Sequence, residues 1–282
     1  YWILDDDYYT LNSFPNEITW STEKSAGSDV DPWTSVTLAS VYDMDGSKGQ
    51  IQALKVWKDN IYCFQDNGIC YILFNSRVQI PVSDGVPIEI ANNYKVDGKR
   101  YISDGVGCIN KYSICSTPSA LYFIDSVGKH LQAISDRGLM DLSSSKNMVT
   151  WFTNQDVSEW APNNFSTKVF YDNCKKDLYI VTQDEALCFS EMIGEFTSFM
   201  SYENIPLMFN VVDDFYCIKS NYISQMYAGD YNYFFGDYKG FDFTFVSNGR
   251  GQQDLSTLDK IYSNINYRAD KWSDKLDSIL SS

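Results

Sequence analysis

The 282-residue chain is long enough for one large all-β domain or two ordinary domains, and its 44% hydrophobic content is ample for a core, which excludes a disordered chain. Its 37 acidic and 22 basic residues give a net charge of −15, and a surface of this charge repels nucleic-acid phosphates and anionic membranes. The densest basic groups are two residues long and the longest strongly apolar run is Ile69 to Phe74, so neither sequence-specific nucleic-acid binding nor a membrane-spanning segment is expected.

The predicted elements are almost all strands, as an aromatic content of 16% favours. The first strand lies in NEITWSTE, Asn16 to Glu23. Four hairpins follow, each with an apolar residue, a tyrosine, two mostly apolar residues, a short polar turn and a second strand. Their first strands are Ile61 to Phe64, Leu121 to Ile124, Leu178 to Val181 and Phe215 to Ile218, and their second strands begin near Ile69, His130, Leu187 and Tyr222.

The turns of these hairpins are polar. The first hairpin, IYCFQDNGICYILF, contains Asn67-Gly68, and Asn-Gly is a strong signal for a type I′ turn, whose two central residues need positive φ. We therefore expect the first turn at these two residues. The other turns are predicted at Asp125 to Lys129, Gln183 to Glu185 and Lys219 to Asn221.

The hairpin repeat predicts an all-β fold, a β-propeller of antiparallel blades with about five recognisable hairpin units and few short helices. The four hairpins start 60, 57 and 37 residues apart; the last spacing suits a compact four-stranded blade and the wider ones suit blades with insertions. Radial stacking would cover both faces of each sheet and leave few open edges. We expect the propeller to span residues 1–245, with loop insertions near 76–106 and 143–166, the second of which holds a short helix.

The C-terminal residues 246–282 are predicted to form an extension of strand and helix, with membership of a further domain as the alternative. Trp272, Leu276, Ile279 and Leu280 fall at helical spacing and form an apolar stripe. A frayed tail is the alternative to a helix here.

The single histidine, His130, stands beside Asp125 at a predicted turn. A general base needs an orienting partner within hydrogen-bond reach, which an aspartate at this turn would supply. The other hairpins place Ile69, Leu187 and Tyr222 near the same position, and none of these titrates near neutral pH. The repeat therefore favours a packing position, and we predict no catalytic residue.

Asp43 and Asp45, in YDMDGSKGQ, resemble the start of a calcium loop. An EF-hand needs glycine at its sixth position and glutamate at its twelfth, whereas Gly46 is fourth and Leu54 twelfth when counted from Asp43. A tight turn is the better interpretation. Asp5-Asp6-Asp7 is interpreted as a solvated turn, and we predict no metal site and no cofactor.

Seven cysteines are spread along the chain, and no pair has CxxC spacing. With one histidine in the chain, a structural zinc site is not expected. Most of the cysteines lie in apolar runs, so we expect them to be buried and reduced, as in a protein made in a reducing cytoplasm. They are Cys63, Cys70, Cys108, Cys115, Cys174, Cys188 and Cys217.

A sialidase-like hydrolase would need an arginine cluster, a tyrosine, acidic residues and repeated S-x-D-x-G-x-x-W turns. STEKSAGSDVDPW, Ser21 to Trp33, has its Asp and Gly misplaced, and the five arginines are scattered. Gly-rich phosphate loops, GxSxG and HExxH are also missing from the sequence. An enzyme is not predicted.

Several longer segments together resemble a known family. They are NEITWSTEKSAGSDVDPWTSVTLASVYDMDG, IQALKVWKDNIYCFQDNGICYILFN, GCINKYSICSTPSALYFID, ALCFSEMIGEFTSFMSYENIPLMFN and AGDYNYFFGDYKGFDFTFVSN. The series, from about Glu17 to Asp270, resembles the tail-nozzle or tail-stabilisation proteins of short-tailed DNA phages, and is most similar to the muzzle proteins of crAss-like phages.

The resemblance implies a structural protein of the virion tail, made in the host cytoplasm, whose β-propeller assembles into a homo-oligomeric ring, commonly six-fold. The ring would contact neighbouring portal, ring and tail proteins, close the DNA channel, and take part in host attachment and genome release, with a host-surface receptor as a further partner. An acidic channel wall would let DNA slide. The alternatives are a carbohydrate- or receptor-binding propeller and, third, a propeller glycoside hydrolase.

Overall fold

The computed structural model describes residues 13–21, 31–37, 40–74, 77–80, 88–91, 96–155, 167–200, 202, 205–219, 221–230, 233–235 and 237–238, with the backbone alone for 77–80, 88–91, 234 and 237. The chain divides into two units, Tyr1–Gly229 and Asp230–Ser282. The described part of the second unit is a small hairpin, β20 (Tyr233–Phe234) and β21 (Asp237–Tyr238). The predicted boundary between residues 245 and 246 and the predicted helix near Trp272 lie outside the described residues and remain predictions.

The first unit is built from antiparallel sheets in which each strand pairs with its neighbour in the sheet order. Sheet I contains β3 (Ile51–Trp57), β4 (Asn60–Gln65), β5 (Gly68–Phe74) and β8 (Val96–Ser103); sheet II contains β9 (Cys115–Ser116), β10 (Leu121–Asp125), β11 (His130–Ser135) and β12 (Gly138–Asp141). Sheet III contains β13 (Lys168–Asp172), β14 (Asp177–Val181), β15 (Ala186–Ser190) and β16 (Glu195–Met200); sheet IV contains β17 (Leu207–Val211), β18 (Asp214–Lys219) and β19 (Tyr222–Gln225).

The smaller elements connect or cap these sheets. Two further two-stranded sheets are β1 (Glu17–Thr19) with β2 (Val41–Asp43), and β6 (Arg77–Ile80) with β7 (Ile88–Ala91). The helices of the described part are 3-10 turns at Pro32–Thr34, Gly46–Lys48 and Lys111–Ser113, and α1 (Leu142–Ser145) and α2 (Val149–Thr153). At five residues, α2 is the longest of them and is far too short to cross a membrane.

The four predicted hairpins are confirmed as β4–β5, β10–β11, β14–β15 and β18–β19, and the strand predicted in NEITWSTE is confirmed as β1. All-β architecture with few short helices is likewise confirmed. The region predicted as a loop insertion near 76–106 is different: it contains the hairpin β6–β7 and then β8, which completes sheet I beside β5. The predicted insertion near 143–166 begins with α1 and α2, and its residues 156–166 lie outside the described ranges.

The predicted type I′ turn at Asn67-Gly68 is wrong. Gln65 pairs directly with Gly68, so the turn is Asp66-Asn67, and neither Asn67 nor Gly68 has positive φ. The N–H of Asn67 donates to the carbonyl of Lys48 at 2.9 Å, a contact with the preceding 3-10 turn that overrides the local preference. The pair with positive φ stands one turn earlier, at Lys58 (46°) and Asp59 (63°) between β3 and β4.

The core lies between the sheets, because the second strand of sheet II is buried on both faces. Leu121 and Phe123 pack toward sheet I, where Phe123 meets Phe64 edge-on at 5.3 Å between ring centroids. Tyr122 and Ile124 point the other way, into a cluster shared with sheet III. This is why all four positions of LYFI are apolar, since a half-buried strand would alternate with polar residues.

The stack continues from sheet III to sheet IV. Tyr179 of β14 stacks on Phe215 of β18 at 5.6 Å, and the inward residues Met208 and Cys217 of sheet IV are buried. The first strands of sheets I to IV, β3, β9, β13 and β17, also lie side by side in that order. At the other end, the β1–β2 sheet covers sheet I through Ile18.

Candidate functional site

His130 does not use the predicted partner. Its Nδ1 lies 2.5 Å from Oδ2 of Asp141, at the end of β12. Asp125 is the residue opposite His130 in the β10–β11 register, but its carboxylate accepts from the backbone N–H groups of Gly107, Val127 and Gly128. The histidine therefore pairs with an aspartate that the sequence pattern did not single out.

The carboxylate of Asp141 is hydrogen-bonded to the helix that follows it. Its Oδ1 accepts from the N–H of Ser144 at 2.9 Å and its Oδ2 accepts from the Ser144 hydroxyl at 2.7 Å, so it caps α1. Burial raises the pKa of Asp141, but the hydrogen bonds from Ser144 and His130 outweigh it and lower the pKa. Ser144 donates to the aspartate, not to His130, so the three side chains do not form a nucleophile–base chain.

Asp125 has a structural equivalent in sheet III. In the turn DNCKKD, Asp172 Oδ1 accepts from the N–H groups of Cys174 and Lys175, the same two- and three-residue spacing that Asp125 uses. The fourth residue of each turn has positive φ, 53° at Lys129 and 60° at Lys176. Both aspartates therefore fix four-residue turns. This structural role accounts for Asp125, and no catalytic role is needed to explain it.

The Asp43–Asp45 segment is a tight turn, as predicted. Asp45 caps the 3-10 turn, with Oδ1 accepting from Ser47 N–H at 2.9 Å, and Gly49 follows at φ 84°. Asp43 lies on β2 opposite Glu17. Among the described residues no group of three His, Cys, Asp or Glu side chains could hold a metal ion. Asp5-Asp6-Asp7 and most of the segment from Ser21 to Trp33 lie outside the described residues.

The cysteines are free thiols, and five of them are buried. The prediction of burial is wrong for Cys174, which is exposed in the turn fixed by Asp172, and Cys115 is half-buried. Cys63 and Cys70 oppose each other across β4 and β5. The hydrogen bond with Cys70, and then burial, raise the pKa of the Cys63 thiol, so it is an inert core group at neutral pH.

The carboxylate of Glu191, which follows β15, accepts hydrogen bonds from two neighbouring sheets. Its Oε1 accepts from the hydroxyls of Thr117, at 2.7 Å, and Ser119, both in the turn before β10. Its Oε2 accepts from the hydroxyl of Tyr171 on β13 at 2.7 Å. One carboxylate thus ties sheet II to sheet III. Sequence reasoning missed it because its donors are 20 to 74 residues away along the chain.

Removing this carboxylate should weaken the first unit. Burial raises the pKa of Glu191, but the hydrogen bonds from Ser119, Tyr171 and Thr117 outweigh it and hold the pKa below its ordinary value of 4.5. Its stabilisation is therefore complete above about pH 4.5 and is lost as the pH falls through the lowered pKa. We expect Glu191→Ala to cost about 1–3 kcal/mol at neutral pH and to flatten the acid limb of stability measured by urea denaturation.

The control for this experiment is Glu195→Ala. Glu195 makes an exposed ion pair with Lys146, and such pairs contribute about 0–1 kcal/mol. Equal losses in the two variants would show that the Glu191 hydrogen bonds do not join the sheets.

A second junction holds sheet III to the segment after β19. The hydroxyl of Tyr227 donates to Asp172 Oδ2 at 2.7 Å and lies 2.6 Å from the hydroxyl of Tyr179. Asp172 and Tyr179 are buried, and burial raises the pKa of Tyr227, so its hydroxyl remains a neutral donor. Between sheets I and II, Trp57 Nε1 donates to the Thr117 carbonyl at 2.9 Å.

These features define an all-β protein of stacked antiparallel sheets whose polar side chains join one sheet to the next. The Crassvirus muzzle protein family matches residues 1–221, and the chain belongs to that family. It is 46% identical over 271 residues to the muzzle protein of Bacteroides phage crAss001, which confirms the family resemblance. That alignment covers 95% of this chain and 19% of the phage protein, so the chain spans about a fifth of the length of its relative.

Three solved structures resemble the chain distantly. The AfRom2 CNH domain gives a TM-score of 0.35 at 10% identity, covering 72% of this chain and 57% of that one. The extracellular domain of the one-component system BT4673 from B. thetaiotaomicron gives 0.28 at 13%, with 64% and 27% covered. A streptogramin B lyase gives 0.25 at 13%, with 78% and 86% covered. At these scores no fold is assigned from the similarity.

Proposed function

We propose that the chain is a structural part of the virion tail of a crAss-like phage, at the distal nozzle that closes the DNA channel. In this role it takes part in host attachment and genome release, within a homo-oligomeric ring and against neighbouring portal, ring and tail proteins. The observation that carries the proposal is the 46% identity over 95% of the chain to a phage muzzle protein. The virion tail is then its site of action, after synthesis in the host cytoplasm.

The proposed architecture is a β-propeller. Four features support it: sheets I to III each have four antiparallel strands, consecutive sheets pack face to face, their first strands lie side by side, and both faces of the inner sheets are apolar. Sheet IV then counts as the next blade, with the β1–β2 sheet at the opposite end of the series.

The proposed role is not enzymatic. The histidine is held by an aspartate that caps a helix, and the half-buried Glu191 and the buried Asp172 accept hydrogen bonds from hydroxyl and backbone donors of the chain. Each of these carboxylates accepts three hydrogen bonds from groups of the chain itself, so most of its acceptor sites are used within the fold. The net charge of −15 supports the further proposal of an acidic conduit wall over which DNA slides.

Labelling of intact virions tests the tail assignment. Antibody fragments raised against the purified chain should bind the distal tail tip of negatively stained particles. They should also reduce adsorption to host cells, because attachment would need this surface. Labelling of the capsid, or of no part of purified virions, would contradict the proposal.

One observation favours a second function, the binding of a surface glycan. Tyr233 and Tyr238 oppose each other on β20–β21, with rings 5.7 Å apart and 53% and 64% exposed. Exposed aromatic pairs suit stacking on sugar rings and rigid contacts with partners. A glycan array should then show binding that the double change to alanine abolishes, while no binding to any glycan would remove this candidate.

A further inference from the structure

Two of the cysteines oppose each other across the first predicted hairpin. Cys63 on β4 and Cys70 on β5 are directly opposed in the strand register, and a hydrogen bond joins their side chains. Directly opposed residues of an antiparallel pair have Cα atoms about 4.5–5.5 Å apart, within the range of about 4.4–6.8 Å found in disulfides. Both thiols are free and fully buried. The backbone of sheet I therefore holds two thiols at a separation that a disulfide can bridge.

The other cysteines are placed differently. Cys115, Cys188 and Cys217 also lie on strands, but in the registers of the described strands none of them stands opposite a cysteine. Cys108 and Cys174 lie in connections between strands. The facing pair is therefore a particular feature of the β4–β5 hairpin and does not recur with the hairpin pattern.

The β1–β2 sheet covers the two thiols. The apolar cluster that contains both cysteines also contains Ile18 of β1 and Met44, which follows β2, and Tyr42 of β2 packs against it. Each strand of this cover is three residues long. A two-stranded sheet of that size is marginally stable by itself, so its local opening needs less free energy than the unfolding of sheet I.

We propose that Cys63 and Cys70 form a reversible disulfide with a small disulfide such as glutathione disulfide as oxidant, and that the β1–β2 sheet gates the reaction by covering both sulfurs. When the cover opens, one thiolate attacks glutathione disulfide, which releases one glutathione and leaves a mixed disulfide on the chain. The second thiolate then attacks the protein sulfur of the mixed disulfide and releases the second glutathione. Two protein thiols are oxidised, one glutathione disulfide is reduced, and the two thiol protons pass to the two glutathione products.

The surroundings of the protein set the state of the pair. A reducing cytoplasm keeps the two thiols reduced, whereas disulfides persist outside the cell. In a virion tail, the bond would therefore form after release from the host and would link β4 to β5 within sheet I. This timing rests on the proposed function, whereas the facing pair and its cover follow from the fold alone.

Oxidation of the purified chain with glutathione disulfide tests the pairing. Trypsin cleaves after Lys58 and Arg77, so both cysteines fall in one peptide. After oxidation and alkylation in denaturant, this peptide should carry no alkyl group and should be lighter by two hydrogen atoms than its reduced form. Treatment with dithiothreitol before alkylation should restore two alkylated cysteines. A peptide that stays fully alkylated, while the exposed Cys174 takes up glutathione, overturns the proposal.

The rate of this oxidation tests the cover. Ile18→Ala should speed disulfide formation by about fivefold or more, because a smaller side chain holds β1 less firmly over the two sulfurs. The matched control is Val41→Ala, which truncates a side chain 37% exposed on β2 of the same small sheet. It should react at the wild-type rate, and circular dichroism should show that all three proteins are folded.

Equal rates for the two variants would overturn the gating by the β1–β2 sheet. Peptide mapping of the wild type needs no substitution, so it decides the pairing even if a variant fails to fold. Labelling of virion tails is a separate measurement, so failure of the proposed tail role and failure of this inference give different results.

Discussion

Gly107→Ala should destabilise the first unit by about 3 kcal/mol or more, lowering the midpoint of thermal unfolding by roughly 10 °C. A Cβ at this position would lie 2.1 Å from the carbonyl oxygen of Asp66 and 2.6 Å from the backbone nitrogen of Asn67. Both contacts are with backbone atoms of the β4–β5 turn, so no side-chain rotation relieves them. Differential scanning calorimetry measures the effect.

The position matters because Gly107 joins two sheets. Its carbonyl accepts from Ser126 N–H at 3.2 Å and its N–H donates to Asp125, both in the β10–β11 turn of sheet II. The next residue, Cys108, donates its N–H to Gln65 at the β4–β5 turn of sheet I. A displacement of Gly107 therefore strains the turns of both sheets.

Gly105→Ala is the matched control. A Cβ at Gly105 meets no atom within 4 Å, and the residue is two positions away in the same connection. Its effect should stay within about 0.5 kcal/mol. Equal destabilisation by the two changes would mean that loss of glycine flexibility in the connection, and not the contact with Asp66, sets the cost.

The hairpins were predictable from the sequence because their signal is local. In Leu121 to Ile124 four consecutive apolar residues fill a strand that is covered on both faces, and the polar segment after Ile124 breaks the run. The same pattern at Leu178 and Phe215 gave strands within one residue of the observed bounds. The repetition of the pattern in four places supports the hairpin prediction more strongly than any single copy does.

Other features depend on contacts that sequence spacing does not encode. The Asn67 turn is set by a hydrogen bond to Lys48, and β8 is recruited to sheet I across an inserted hairpin. The partner of His130 is Asp141, eleven residues further along the chain. The antiparallel pairing of β12 with β11 places Asp141, the last residue of β12, beside the start of β11. Glu191 gathers donors from two sheets, and only the folded arrangement of those sheets reveals them.

The polar side chains that most resembled catalytic or metal-binding groups therefore hold turns, a helix and neighbouring sheets in place. Asp125 and Asp172 fix turns at the ends of sheets, Asp141 caps a connecting helix, and Glu191 and Tyr227 cross between sheets. Stacked sheets need such junctions because directional bonds fix their relative register. Hydrogen bonds supply that direction, whereas apolar contacts are non-directional.

Leu121→Ala should cost about 2–5 kcal/mol, whereas His130→Gln should cost about 1 kcal/mol or less. Leu121 is fully buried between sheets I and II, and its truncation leaves a cavity that the packed aromatic neighbours Phe64 and Phe123 cannot fill. Glutamine at position 130 keeps a donor near Asp141, and Asp141 retains both hydrogen bonds from Ser144.

Urea denaturation of the two variants beside the wild type measures this ranking, and labelled incorporation into virions measures assembly. A packing role for the hairpin predicts that His130→Gln assembles normally while Leu121→Ala is lost through unfolding. The opposite ranking, with a stable His130→Gln protein that fails to assemble or to support infection, would make His130 a functional residue. Because Leu121 faces sheet I and the histidine stands at the edge of the β10–β11 turn, the two substitutions separate packing from site chemistry within one hairpin.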